Sequence, residues 1–568
     1  MRYHALACDY DGTIAWDGQV TKRTLDALLD VKKSGRKVIL VTGRELDDLI
    51  KVFPQVDLFD RVVAENGAVL YRPGTREERM LAERPPEEFV RELIRRGAER
   101  VSAGRVIVAT RRPYETKAIE VIRDLGLELQ VIFNKDSVMI LPSGTNKATG
   151  LTAALRELGL SAHNVVGVGD AENDHAFLAL CECSVAVQNA LDTLKQRVDW
   201  VTTEGHGDGT VELIQALIAT DLEYLEDRLH HKLLLGKRAD GSEVWLRPYL
   251  KNVLIAGNSG AGKSTLAMGF LERLEEQEYQ YLIIDPEGDY SAFPGAVALG
   301  DDQRPPSTQE VLDVLAKPDA DATVNLTGVG LSERPAFFEA LLPRIQELRA
   351  KTGRPHWIVI DETHHVLPSS WEAAGITVSQ KVYGVMLITL EPDRVAPAIL
   401  STIDVVIAVG QDPASILKIF CETVGQASPA MGPISLKPGE AIAWFRDSSE
   451  PPFVFQSTVP RAERRRHRRK YAEGELPPEL CFYFHGPEGK LNLRAQNLSI
   501  FLQIADGVDD ETWLFHVKNG DVAKWFRKVI KDGDLAHEAE LMQPADITAE
   551  ESRKHIRREI EKRYILAA

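Results

Sequence analysis

At 568 residues the chain is long enough for three or four domains, each with its own core. Its 44% hydrophobic and 27% charged residues are ordinary globular values that argue against long disordered tracts. The formal net charge of -17 favours solubility and opposes indiscriminate binding to nucleic acid or anionic lipid, while leaving room for a local basic track. MRYHALACDYDGT enters a strand at once, without the basic start and apolar stretch of a secretory signal, and no apolar run approaches the ~18 residues of a membrane span. Cys8, Cys181, Cys183, Cys421 and Cys481 show no paired spacing, so neither a disulfide framework nor a zinc site is indicated. The expected compartment is the cytoplasm, with no membrane partner.

From residue 1 to about 220, short β-branched runs (HALACDYD, KVILVTGR, NVVGVGDAE, CSVAVQNA) alternate with helical patterns such as KRTLDALLDVKKSG. This rhythm predicts a parallel α/β sheet with functional residues at strand C-termini. Residues near 82–142 interrupt it with a helix, strand and helix and then two strands, LELQVIFN and DSVMILP, the pattern of an inserted cap. Residues 221–250 read as a linking helix, DLEYLEDRLHHKLLLG, and a hairpin turning at Asp240 and Gly241. A second α/β domain is expected over 251–458, with strands NVLIAG, QYLIIDP, ATVNLT, HWIVID, GVMLITL and DVVIAVG. Residues 459–568 open with the basic run Arg464, Arg465, Arg466, Arg468, Arg469, Lys470 and continue as a small α+β module. There CFYFHGPEGKLNLRAQNL reads as a hairpin, and Trp513, Phe515, Trp525 and Phe526 read as core aromatics.

In DYDGT, Asp9 and Asp11 flank Tyr10 at a strand end, and Gly12 and Thr13 allow a tight turn around a phosphate. Two carboxylates so placed divide the labour: Asp9 attacks phosphorus, while Asp11 protonates the leaving oxygen and then activates water. Thr42 in VTGR, Lys147 in SGTNKATG, and Asp170, Asn173 and Asp174 in GVGDAEND follow, each where a strand ends or a helix begins. The ordered set resembles the haloacid dehalogenase (HAD) superfamily, and the small cap between the Thr42 and Lys147 motifs resembles its Cof-type (IIB) branch. The resemblance implies Mg2+ held by Asp9, the backbone carbonyl of Asp11 and Asp170. It further implies that Thr42 and Lys147 bind the transferring phosphoryl group, with Asn173 orienting phosphate or the metal shell beside Asp174. A small phosphate ester is the implied substrate and an aspartyl-phosphate the implied intermediate.

NVLIAGNSGAGKSTL puts Gly257, Asn258, Ser259, Gly260, Ala261, Gly262, Lys263, Ser264 and Thr265 between an apolar strand and a helix. That is the setting of a Walker A loop: backbone N–H groups surround the phosphates of ATP, Lys263 reaches the terminal ones and Ser264 binds Mg2+. In WIVIDETHH, Asp361 ends a strand where it assists that metal, and Glu362 polarises water. The segment YLIIDPEGDYSAF resembles a signature of HerA/FtsK-like ATPases, as does the preceding hairpin. That resemblance implies a homo-oligomer, with a hexamer favoured, ATP at subunit interfaces, a sensor position that falls near Leu390 or Glu391, and a trans-acting arginine for which Arg394 and Arg446 are the candidates.

The expected architecture is therefore α/β throughout: a HAD Rossmann-like domain with a small α/β cap, a P-loop NTPase domain, and a small α+β module. The leading function is a Mg-dependent phosphatase coupled to an oligomeric ATPase. The alternatives are a nucleic-acid motor, with the Arg464–Lys470 run as its basic track, and a nucleotide-regulated scaffold.

Overall fold

A computed structural model describes residues 1–565 except 135, 250, 259–260, 292, 372–381, 432–433, 459, 461–475, 477–479, 488, 490, 531 and 545–546. The basic run at 464–470 and the loop residues Ser259 and Gly260 lie outside the described residues. The rest forms two compact units, residues 1–263 with 273–458, and residues 264–272 with 459–568. None of the described helices is long and apolar enough to cross a membrane.

Strands β1 (Ala5–Cys8), β2 (Lys37–Val41), β3 (Arg61–Ala64), β4 (Val69–Arg72) and β5 (Glu77–Met80) open the first unit. The cap follows with β6 (Ser102–Ala103), β7 (Val108–Arg111), β8 (Leu129–Asn134) and β9 (Ser137–Pro142). The chain then returns through β10 (Val165–Gly169), β11 (Cys183–Ala186) and β12 (Trp200–Val201). These give an eight-stranded sheet in the order β12-β11-β10-β1-β2-β3-β4-β5 and a separate cap sheet β6-β7-β9-β8. Pairing is parallel from β12 to β3. Central strands β1 and β10 are buried along their whole length, which is why they read as unbroken apolar runs instead of alternating ones. The cap carries its own small core, built on Phe89, Leu93, Val108, Val138 and Ile140.

One sequence expectation is corrected. No helix links the two sheets: the helix His206–Thr220 ends where Asp221 and Leu222 both take left-handed backbone, and only a 3-10 turn at Glu223–Leu225 follows. Leu222, Leu225 and Leu229 have the spacing of a helix face, but the chain is pinned onto the first core by their burial instead. Asp221 also accepts a 2.9 Å bond from Arg36, which fixes the break. The expected hairpin follows, and it belongs to the second sheet. Its strands β13 (Leu233–Lys237) and β14 (Glu243–Leu246) turn through Asp240 and Gly241, and β13 pairs with a strand of the second sheet.

That second sheet adds β15 (Asn252–Ala256), β16 (Tyr281–Asp285), β17 (Ala296–Leu299), β18 (Asp321–Asn325), β19 (Trp357–Ile360), β20 (Val385–Thr389), β21 (Val405–Ala408), β22 (Glu440–Phe445) and β23 (Phe453–Ser457). Its order is β14-β13-β23-β22-β21-β15-β20-β19-β16-β18-β17, parallel from β21 to β17. In the second unit, β24 (Phe482–Phe484) and β25 (Leu493–Ala495) form the expected hairpin. Its core contains Phe501, Trp513, Trp525 and Phe526, while Phe515 is half-buried.

Candidate active sites

Strand β1 delivers Asp9 directly after Cys8, and its N–H is paired with the Val168 carbonyl at 3.0 Å. The residue is 4% exposed. Strand β10 delivers Asp170, and the turn after it places Asp174, whose Oδ2 accepts the N–H groups of Asp170 and Ala171 at 2.9 Å each. Lys147 enters from the start of the helix Lys147–Leu158, which is held by an Asn146/Thr149 capping box. Its Nζ donates to Asp9 Oδ1 and Asp174 Oδ1, both at 2.5 Å. Thr13 Oγ1 bridges Asp9 and Asp170 at 3.3 and 3.4 Å. Gly12 is required here: it lies at φ +85°, and a Cβ would meet Asp170 Oδ2 at 2.3 Å.

Burial pushes the Asp9 carboxyl well above the ordinary range, and Asp174 and Asp170 add to the rise while Lys147 opposes it. Burial alone would lower the Lys147 ammonium, but Asp174 and Asp9 outweigh it and hold it above the usual lysine range. Carboxylate oxygens of Asp9, Asp170 and Asp174 lie within 4.8 Å of one another. Oxygen donors from three buried carboxylates this close together fit a divalent cation such as Mg2+.

Asp11 stands apart from that trio. Its two oxygens accept from Arg44 Nη2 and Nε at 2.7 Å each, and Arg44 also reaches Asp48 at 2.6 Å. Thr42 is buried after β2, where its Oγ1 accepts the Arg44 N–H at 3.1 Å. Asn173 donates to Asn66 Oδ1 at 3.0 Å.

Arg44, Glu65 and Asn66 were not singled out from the sequence. The available signal was the polar triplet ENG set between two apolar strands. Glu65 and Asn66 both take left-handed backbone, at φ 51° and 54°. The fully buried Glu65 carboxylate accepts three cap N–H groups, from Arg105, Val106 and Ile107, at 2.8, 2.8 and 2.9 Å. Glu65→Ala would strand these donors, each orphan costing about 1–3 kcal/mol. Chemical denaturation of the variant should therefore show a loss of about 3 kcal/mol or more, accompanied by faster proteolysis within the cap. Wild-type stability would contradict this anchoring role.

The second site gathers at the C-terminal ends of β15, β16 and β19. Gly257 and Asn258 follow β15, Gly262 is left-handed at φ 98°, and Lys263 begins the helix Lys263–Glu276, with Ser264 and Thr265 next in sequence. Lys263 Nζ is folded onto its own loop, donating to the Gly257 carbonyl at 2.8 Å and that of Asn258 at 3.3 Å. Burial lowers its affinity for the proton, partly offset by Glu362, Asp361 and Glu287. Asp361 is pushed up to about 7 by burial, with Glu362, Asp285 and Asp289 adding to the rise. Glu362 sits at φ 37°, its carboxyl raised by burial. Its Oε2 makes no hydrogen bond, and His364 Nδ1 stands 3.4 Å away. Asp285 shapes the PEGDY loop by accepting from the N–H groups of Gly288, Asp289 and Tyr290 at 2.8, 3.0 and 2.8 Å.

Of the two arginines expected to act in trans, Arg394 is exposed and paired with Glu391 at 2.9 Å. Arg446 is engaged within its own chain by the Ile403 carbonyl and by Gln426, the latter at 2.7 Å. Leu390 and Glu391 follow β20, and the Glu391 carbonyl accepts from Thr389 at 3.3 Å.

Two largely parallel sheets, each with ionisable side chains gathered at strand C-termini, give an α/β protein with two candidate sites. Residues 6–101 and 129–214 match the haloacid dehalogenase-like hydrolase family, and residues 237–332 match the HerA helicase central domain. The chain thus carries a segment similar to haloacid dehalogenase-like hydrolases followed by one similar to the HerA central domain. It is 29% identical over 223 residues to a phosphoglycolate phosphatase of Methanoculleus marisnigri, covering 37% of this chain and 94% of that protein. It is also 29% identical over 221 residues to a phosphoglycolate phosphatase of Methanothermobacter thermautotrophicus, covering 37% of this chain and 97% of that protein. A solved haloacid dehalogenase-like hydrolase from Bacteroides thetaiotaomicron is 18% identical, with a TM-score of 0.33, covering 38% of this chain and 99% of that one.

Proposed function

We propose that the N-terminal domain is a Mg-dependent phosphatase of small phosphate esters, working through an aspartyl-phosphate on Asp9, and that the HerA-type domain hydrolyses ATP in an oligomer that governs it. The observation carrying the first half is Lys147 bonded at 2.5 Å to both Asp9 and Asp174 in a buried pocket. Asp9, Asp170 and Asp174 would hold the Mg2+, which when bound neutralises phosphate charge and screens the carboxylates from one another. Lys147 pairs with Asp9 and opposes the rise that burial and Asp174 impose on its carboxyl, favouring the ionised form that attacks phosphorus. Thr42 and Lys147 donate to the phosphoryl oxygens. Asp11, once released from Arg44 and protonated from solvent, gives that proton to the leaving oxygen and then takes one from the water that hydrolyses the acyl phosphate. Asn173 orients the phosphoryl group or the metal shell.

For ATP, the Gly257–Thr265 motif would bind the phosphates, with Lys263 leaving its two carbonyls for the terminal ones, and the sequence motifs assign Ser264 and Asp361 to the accompanying metal. Glu362, with a free oxygen, polarises water. A ring, six copies favoured, would bring an arginine of a neighbouring copy to the ATP.

The relatives make phosphoglycolate the first ester to try. A panel of phosphoglycolate, sugar phosphates and nucleotides, assayed with Mg2+ and with or without ATP, tests the reading. Phosphate release from at least one small ester that disappears with EDTA is expected. A purified, folded protein that releases phosphate from none of them would overturn it.

A further inference from the structure

The two α/β sheets of the first unit meet at the ends opposite their sites. His163 and Asn164 stand just before β10, and Glu182 just before β11. From the second sheet, Tyr279 and Gln280 stand just before β16, and His356 just before β19.

Glu182 is at the centre of the meeting and only 1% exposed. Its Oε2 accepts from Tyr279 Oη at 2.9 Å and faces His163 Nδ1 at 2.6 Å, while Oε1 is paired with Arg2. The other nitrogen of His163 lies 2.5 Å from the Gln277 carbonyl, and the His163 and Tyr279 rings stack at 3.6 Å. Around this core, His356 Nε2 contacts Asn164 Oδ1 at 3.2 Å and Arg354 Nη2 donates to the Gly159 carbonyl at 2.7 Å. Gly353 packs so closely on Asn164 that a Cβ would meet its Nδ2 at 2.2 Å.

This is not how tethered domains touch. Inter-domain surfaces within a chain are ordinarily wet, and relative motion across them is the default. Here a buried carboxylate takes donors from both sheets, and removing one partner of a buried charged network costs far more than breaking an exposed pair. Burial would raise the Glu182 carboxyl, but Arg2 and then His163 outweigh it and hold it well below the ordinary range. His231 also faces the cluster; burial drops its ring to about 4 despite Glu182. His356, buried beside His163 and Arg354, is likewise lowered, by burial first. The strands that leave the junction carry the two sites: β10 runs to Asp170, β16 to Asp285, and β19 to Asp361 and Glu362.

We propose that the Glu182–His163–Tyr279 junction makes the phosphatase and HerA-type sheets one cooperative body, and that the nucleotide state of the second sheet reaches the phosphatase site through it. The second clause rests on the phosphatase reading above; the first does not. Tyr279 touches neither site, so Tyr279→Phe removes one cross-sheet donor and leaves basal phosphatase activity unchanged.

The test uses the full chain with two readouts. In calorimetry, wild type should unfold the two sheets in a single transition, and Tyr279→Phe combined with His163→Gln should split it into two. In kinetics, a non-hydrolysable ATP analogue should change wild-type kcat/KM by about 5-fold or more, and Tyr279→Phe should bring that ratio close to one. Two separate wild-type transitions, or an unsplit one in the double variant, would overturn the cooperative body. An unchanged nucleotide effect in Tyr279→Phe, or none in wild type, would overturn the route. Failure of the phosphatase reading itself would appear as absent ester hydrolysis with the calorimetric result intact.

Discussion

Asp9→Asn should reduce Mg-dependent ester hydrolysis by on the order of 10⁴-fold or more while leaving the fold intact. The estimate follows from the role: removing a covalent nucleophile abolishes the two-step route, and residues acting as a unit lose nearly all their joint effect together. The substitution keeps size and one acceptor, so the Lys147 amine retains a partner in Asp174 at 2.5 Å. Stability should not fall in proportion. Asp9 is a carboxylate whose charge burial and Asp174 oppose, and replacing it with a neutral amide relieves that cost even as it weakens the pairing with Lys147. Steady-state phosphate release and thermal melting, measured on the same preparation, separate the two effects. Undiminished Mg-dependent turnover by folded Asp9→Asn would falsify the nucleophile assignment.

What the sequence disclosed was set by locality. Asp9, Thr42, Lys147 and Asp170 are legible because each ends a strand or starts a helix, and the apolar runs that mark those strands are themselves visible. The P-loop is legible for the same reason. The 221–235 segment misled because Leu222, Leu225 and Leu229 satisfy helical spacing equally well when pinned to a core by a chain that has stopped being helical. Glu65 was hidden because its three donors lie about 40 residues further on, across the entry to the cap. The pairing of Asp11 with Arg44 was hidden too, since a sequence shows an acid/base candidate but not the cation that holds it when no substrate is bound. Tyr279 and Glu182, 97 residues apart, carry no motif at all; only the meeting of two sheets gives them a role.

Lys263→Ala and Glu362→Gln should disable the ATPase in different ways, and the difference is the informative result. Lys263 now spends its donors on the carbonyls of Gly257 and Asn258, bonds it can exchange for phosphate oxygens with a gain in charge pairing. Losing a charge-assisted contact of about 1.5–3 kcal/mol corresponds to nucleotide binding on the order of 10- to 100-fold weaker. Glu362→Gln keeps the shape and removes only the basic oxygen, so ATP should bind with nearly wild-type affinity while turnover falls by about 10²- to 10⁴-fold. The Glu362 backbone, at φ 37°, is left as it is by a substitution that does not alter branching at Cβ. ATP between copies, as proposed, needs an arginine from the neighbouring copy, and either Arg394 or Arg446 would first have to leave its partner within its own chain. Solution mass of Glu362→Gln with ATP should accordingly rise to a ring, six copies favoured. A strict monomer at micromolar concentration that hydrolyses ATP at the full wild-type rate would rule out catalysis between subunits, and equal loss of binding in both variants would remove Glu362 from the chemical step.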